Sequence, residues 1–228
     1  MSNNGPKERP GLLGAEGRRV LSLLEGRPLK ENEIERDGNG RPFIPGSRMD
    51  FNISHSGAMD AVSMLKGEVG RTGCDIQIAR PKPGLRKIAL KEIAGDFFTA
   101  PEKRYVFSPG GGQSEENRFY EIWALRESCL KLRGLSVFEM ASLPSFIGGQ
   151  GQGQGHFSFD ETVSSPLSFY LYELGGETGD RYYLAAALEG EKQSQPEIRW
   201  FSESFLPCRS IAEIKATLSP ASTVRPKM

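Results

Sequence analysis

Residues 115–133 read EENRFYEIWALRESCLKLR, and this stretch decides the fold class. At roughly 100° per residue, Ile122, Leu125, Cys129 and Leu132 fall on one stripe and supply a core contact. Trp123, Glu127 and Lys131 are spaced i, i+4, i+8 and form a second line beside it. The pattern is a helix that stops at Gly134, because glycine readily takes the left-handed backbone that ends helices. Glu127 beside Lys131 has two readings. One is a surface ion pair worth about 0.3–0.5 kcal/mol; the other is a functional pair. Periodicity alone favours the first.

Upstream, the run GCDIQI at 73–78 alternates as a half-buried strand does, with Asp75 and Gln77 on one face and Cys74, Ile76 and Ile78 on the other. A carboxylate followed two residues later by an amide oxygen offers two hard oxygen donors to one cation. Magnesium takes such donors in octahedral geometry, completed by phosphate and water. Glu127 from the helix could join Asp75 there, although an Asp on a strand is more often simply solvated. Further upstream, FNISHSG at 51–57 ends a strand in small hydrogen-bonding groups. Ser54, His55, Ser56 and the backbone amides around them suit a phosphate, and Gly57 suits a tight turn. A plain hairpin turn explains the same residues equally well. A Ser54–His55 nucleophile and base pair is disfavoured, because strand neighbours point to opposite faces.

These pieces sit in a chain that alternates in blocks. A helix is expected over Leu12–Leu24, and turns over 36–48. Asp50–His55 and Met59–Lys66 read as paired strands, with Thr72–Ile78 closing a small meander. The ArgProLysProGly run at 80–84 is the expected linker. Helices follow at Leu85–Phe98, Pro101–Phe107 and Glu115–Arg133. Strands are expected at 155–160, 166–174, 181–189 and 197–201, with the glycine-rich 148–155 as a hairpin tip or insertion. Helix, strands, linker, helices, strands is an α+β order that fits two similar halves. The expected division is a loose tail at 1–10, an N-terminal half at 11–82, a C-terminal half at 83–205 and an extension at 206–228.

Bulk composition narrows the function. Lys plus Arg and Asp plus Glu both total 29, so no net field draws the chain to nucleic acid or an anionic membrane. Three scattered cysteines, Cys74, Cys129 and Cys208, with two histidines, His55 and His156, argue against a disulfide framework or a structural zinc site. Neither a membrane-spanning run nor a secretory signal is read from the sequence, so the expected location is the cytoplasm.

Together the motifs resemble the 4'-phosphopantetheinyl transferases of the longer, Sfp-like type, in order and spacing. GRPFIP at 40–45 is similar to the family's Gly-Lys-Pro-x-x-Pro run, and FNISHSG at 51–57 nearly repeats its second motif. GCDIQIARP at 73–81 resembles the Gly-x-Asp-x-Glu block, and FFTAPE at 97–102 the Phe-Phe-Ser-x-x-Glu segment. WALRESCLK at 123–131, followed by GLS at 134–136, resembles Trp-x-x-Lys-Glu-[Ser/Ala]-x-x-Lys. The resemblance covers roughly residues 38–140, with strand-rich sequence compatible with it to about 201.

What the resemblance implies is a monomeric pseudo-dimer of two α+β halves with coenzyme A and Mg2+ in the cleft between them. Arg41 and Pro42 would lie near the adenine, while Ser54 and His55 would contact phosphate groups of coenzyme A, including the 3'-phosphate. Asp75, Gln77 and Glu127 would be the metal residues. Lys131 would neutralise the pyrophosphate, and Glu127, directly or through a water, would take the proton of an attacking serine. The acceptor would be an apo acyl or peptidyl carrier protein, with 3',5'-ADP as the leaving group. Three departures stand out. Gln77 replaces the usual second acid, and Arg126 replaces the usual Lys before Glu127. Only 39 residues precede Gly40, so basic residues that grip coenzyme A in longer relatives are expected to be missing, with Arg18, Arg19 or Arg27 as candidate substitutes. The rivals are a degenerate module that binds coenzyme A or a carrier protein without transfer, and an unrelated metal-dependent phosphohydrolase.

Overall fold

The computed structural model describes residues 15–57, 59–66, 70–79, 87–109, 113–147, 156–157, 167–175 and 180–189. The expected tail at 1–10, linker at 80–84, glycine-rich segment at 148–155, strand at 197–201 and extension at 206–228 lie outside them. The described chain forms helices α1 (Ala15–Glu25), α2 (Lys87–Phe97), α3 (Ala100–Phe107) and α4 (Glu115–Arg133). Its strands are β1 (Glu35–Arg36), β2 (Pro42–Phe43), β3 (Met49–Ser56), β4 (Met59–Lys66), β5 (Thr72–Ile78), β6 (His156–Phe157), β7 (Leu167–Gly175) and β8 (Arg181–Glu189). Helix and sheet are mixed, as the α+β reading expects.

The strands pair differently from the expected meander. β3 and β4 do form an antiparallel hairpin, from Met49 opposite Lys66 to Ser56 opposite Met59. β5, however, does not continue it. It is the edge of a four-stranded antiparallel sheet in the order β5-β8-β7-β6, with Thr72 opposite Leu188 and Ile78 opposite Tyr182. Alternation in a sequence reveals the two faces of a strand and is silent about its edges, which is why the partner of β5 was not readable.

The other edge of β5 is closed by side chains. The backbone N–H of Thr72 donates to Asp50 Oδ2 (2.6 Å), that of Cys74 to Asn52 Oδ1 (3.2 Å), that of Ile76 to Ser54 Oγ (3.2 Å) and that of Ile78 to Ser56 Oγ (3.0 Å). Each rung joins residues 22 apart, so β3 and β5 run in the same direction. Without these short acceptors the edge amides of a buried strand would lack partners. The alternate residues of β3, Met49, Phe51 and Ile53, face away and pack on Leu21 of α1 with Leu29, Ile34 and Ile44. The polar face of β3 is therefore a seam between two layers and not a solvent face.

α4 lies across β5 and β8 on the opposite side of the sheet. Its ends follow local chemistry: the Ser114 side chain accepts the Asn117 N–H at 3.1 Å, and Gly134 turns left-handed at φ 68°. Gly73 sets how closely strand and helix approach. A Cβ there would sit 2.2 Å from the Ser128 carbonyl oxygen and 2.5 Å from the Leu132 nitrogen, well inside contact distance. Ile122, Cys129 and Leu132 are buried as the stripe predicts, and Leu125 is half-buried.

Candidate active site

Asp75 projects from β5 toward α4 and is 2% exposed. Both of its oxygens are occupied. Oδ1 accepts the Lys131 ammonium at 2.6 Å and the Ser54 hydroxyl at 2.8 Å, and Oδ2 accepts the Gln77 amide nitrogen at 2.8 Å. Lys131 also donates to Ser54 Oγ at 2.9 Å. Three segments thus meet at one carboxylate: β3 through Ser54, β5 through Asp75 and Gln77, and the last turns of α4 through Lys131.

Glu127 lies one turn before Lys131 on α4 and is half-buried. Burial raises its pKa above the ordinary carboxylate value, the negative charge of Asp75 raises it further, and Lys131 opposes both. Two carboxylates within electrostatic reach of each other share one ammonium, that of Lys131, and supply oxygen donors. Such a donor set suits a hard divalent cation better than a soft one. Among the described residues, no group of three or more His, Cys, Asp and Glu could hold a metal. A cation here would take its remaining ligands from Gln77, water or a bound phosphate.

The other expected site residues are placed less directly. Arg41 is buried, and its guanidinium is committed to protein groups: Nη1 donates to the Lys131 carbonyl at 2.5 Å, and Nη2 to Asp50 Oδ2 (2.5 Å), Thr72 O (2.6 Å) and Phe51 O (3.2 Å). It joins β3, β5 and the end of α4. Pro42, next to it, is half-buried in β2. His55 is exposed near the end of the β3–β4 hairpin, opposite Asp60. Of the arginines considered for coenzyme A, Arg18 pairs with Glu31 at 3.1 Å and Arg27 with Glu33 at 2.6 Å.

Arg126, which stands where the resembling family usually has Lys before Glu127, points away from that residue. It is fully buried against an equally buried Glu102 at 2.8 Å and donates to the Met140 and Leu143 carbonyls at 2.6 and 3.2 Å. Glu102 in turn caps α3 through the Thr99 N–H at 2.8 Å and accepts the Phe146 N–H at 2.9 Å. This pair pins α3, α4 and the chain after α4 together. The signal was available: successive helix residues are about 100° apart, so Arg126 cannot share a face with Glu127. The run of short acceptors at alternate positions 50, 52, 54 and 56 also had a visible period, matching that of β5, but their seam role was missed.

A family model described as the 4'-phosphopantetheinyl transferase superfamily matches residues 71–187, just over half of the chain. The chain belongs to the 4'-phosphopantetheinyl transferase superfamily. The matched span contains Asp75, Gln77, Glu127 and Lys131 and begins after Arg41, Pro42, Ser54 and His55. Among curated proteins the chain is similar to the 4'-phosphopantetheinyl transferase AcpT of Salmonella typhi, with 31% identity over 57% of this chain and 67% of that protein. It is 32% identical to AcpT of Escherichia coli K12 over 60% of this chain and 70% of that one. A 4'-phosphopantetheinyl transferase of Bacillus subtilis is 32% identical over 42% of this chain and 38% of its own length. Membership and relatives together mark the chain as an enzyme, a 4'-phosphopantetheinyl transferase. Among the described residues, no helix is long and apolar enough to cross a membrane.

Proposed function

We propose that this transferase moves the 4'-phosphopantetheine arm of coenzyme A onto a serine hydroxyl of an apo acyl or peptidyl carrier protein, in a Mg2+-dependent reaction that releases 3',5'-ADP. The observation that carries this reading is the convergence of Asp75, Glu127 and Lys131 from a strand and a helix held together at Gly73. Asp75 and Glu127, with the amide oxygen of Gln77, are the residues that would hold the ion. When bound, Mg2+ would stabilise negative charge on the pyrophosphate oxygens.

The remaining roles belong to the chain itself. Lys131 offers a positive charge to the pyrophosphate from a fixed position on α4. Glu127, whose pKa is raised by burial, is the residue proposed to take the serine proton, directly or through a water. The serine oxygen then attacks the β-phosphorus, and the bond from that phosphorus to the bridging oxygen breaks, leaving 3',5'-ADP. His55, exposed near the hairpin end, is proposed to meet the 3'-phosphate. Arg41 shapes the adenine end by holding the segment that carries Pro42, because its own donors are engaged. The two-half, Sfp-like arrangement belongs to the same proposal, as does a monomer acting in the cytoplasm: one chain supplies Asp75, Gln77, Glu127 and Lys131.

The test incubates the protein with coenzyme A, Mg2+ and a panel of apo carrier proteins and weighs the carriers intact. The expected result is a gain of one phosphopantetheine arm, abolished by a chelator and reduced on the order of a hundredfold or more in Glu127→Ala. If coenzyme A binds yet no carrier gains mass, the transfer reading fails and a binding module takes its place.

A further inference from the structure

The Ser54 hydroxyl has three neighbours, and their chemistry leaves it no choice of partner. Ile76 N–H and the Lys131 ammonium can only donate, at 3.2 and 2.9 Å. The Asp75 carboxylate, as the partner of Lys131, can only accept, and lies 2.8 Å away. A serine hydroxyl carries one proton and two lone pairs. Both lone pairs are taken by Ile76 and Lys131, and the proton goes to Asp75. With Asp75 and Lys131 so placed, the hydroxyl has no second proton to offer a phosphate oxygen. The residue is also buried, at 7% exposure.

We infer that Ser54 is a positioning residue for the Asp75–Lys131 pair. The inference rests on the transferase reading above. Of the four rungs between β3 and β5, only the one at Ser54 reaches the reacting pair among the contacts described. The rungs at Asp50, Asn52 and Ser56 bind amides of β5 without touching the Asp75 carboxylate or the Lys131 ammonium. Ser54 fixes the carboxylate torsion on one side while Gln77 fixes it on the other, and it gives the lysine ammonium a second anchor. Its removal would free both charges to turn, at a site where misplacement by about 1 Å can cost a hundredfold in rate.

The seam supplies its own control, since Asn52→Ser disturbs a rung two residues away that lacks any site contact. Transfer rate at saturating coenzyme A is measured beside coenzyme A affinity by titration calorimetry and melting temperature, for wild type, Ser54→Ala, Ser54→Thr and Asn52→Ser. Expected are a tenfold or greater fall in kcat for Ser54→Ala, coenzyme A affinity within threefold of wild type, and recovery of most of the rate in Ser54→Thr. Asn52→Ser should lose stability yet keep kcat within about twofold. A tenfold loss of coenzyme A affinity in Ser54→Ala with kcat preserved would overturn the inference in favour of a phosphate ligand. An equal fall of kcat in Asn52→Ser would overturn it in favour of general loosening. Should wild type transfer nothing to any carrier, the transferase reading fails separately, and the calorimetry alone decides: unchanged affinity supports positioning, and a tenfold loss refutes it.

Discussion

Burial and Asp75 together press the Glu127 carboxyl to keep its proton, and Lys131 offsets them only in part. The folded state therefore holds that proton more tightly than the unfolded chain does. The sign follows from proton linkage: where the native state binds more protons, stability falls as pH rises. This loss begins near the ordinary carboxyl pKa and is complete above the raised one. In metal-free buffer, Glu127→Gln keeps the shape and removes the charge, so it is expected to melt higher than wild type at neutral pH. The gap should close below the ordinary carboxyl range, and thermal melts across pH check it. A gap that stays constant with pH would mean that charge has no part in it. Glu127, Lys131 and Asp75 came forward through the motifs that carry the family resemblance, since the residues alone favoured a surface ion pair and a solvated strand carboxylate. Ser54 was legible only as a small polar residue, since its neighbours, and hence the direction of its one proton, come from segments 21 and 77 residues away.

Between elements, the contact that sets the site is the crossing of α4 over β5 at Gly73. The obstruction to a side chain there is helix backbone, which has no rotamer to move. Gly73→Ala is expected to push α4 off the strand, costing about 1–3 kcal/mol of stability. Because Glu127 and Lys131 ride on that helix, transfer should fall on the order of a hundredfold, more than the lost stability alone explains. Denaturant titration beside the rate at saturating substrate separates the two effects; a rate that merely tracks the folded fraction would refute it. The ends of α4 were readable to the residue because Ser114 and Gly134 are local signals that owe nothing to the rest of the fold. The placement of β5 was not readable. Its partner β8 lies more than a hundred residues away, and its other neighbour, β3, reaches it through side chains where a ladder search looks for backbone.

Across the whole molecule, Arg41 and the four-rung seam bind the β3–β4 hairpin to the sheet that carries Asp75. The β1–β2 pair hangs from the same arginine, whose own backbone N–H is held by Asp37 at 2.9 Å. Among the described residues, no backbone strand pairing crosses from the hairpin to that sheet. The consequence lies in how the molecule breathes. Along β5, the amides of Gly73, Asp75 and Gln77 face β8, as that of Ala79 does with Arg181, whereas those of Thr72, Cys74, Ile76 and Ile78 face the seam. One strand thus carries two interleaved clocks for hydrogen–deuterium exchange, one timing release of the hairpin and the other timing opening of the sheet. In Ser54→Ala the seam-facing set is expected to speed up while its alternate neighbours keep their pace. If both sets quicken together, hairpin and sheet open as a single unit; if they part, the wall on the Ser54 side can swing away while the floor bearing Asp75 stays closed.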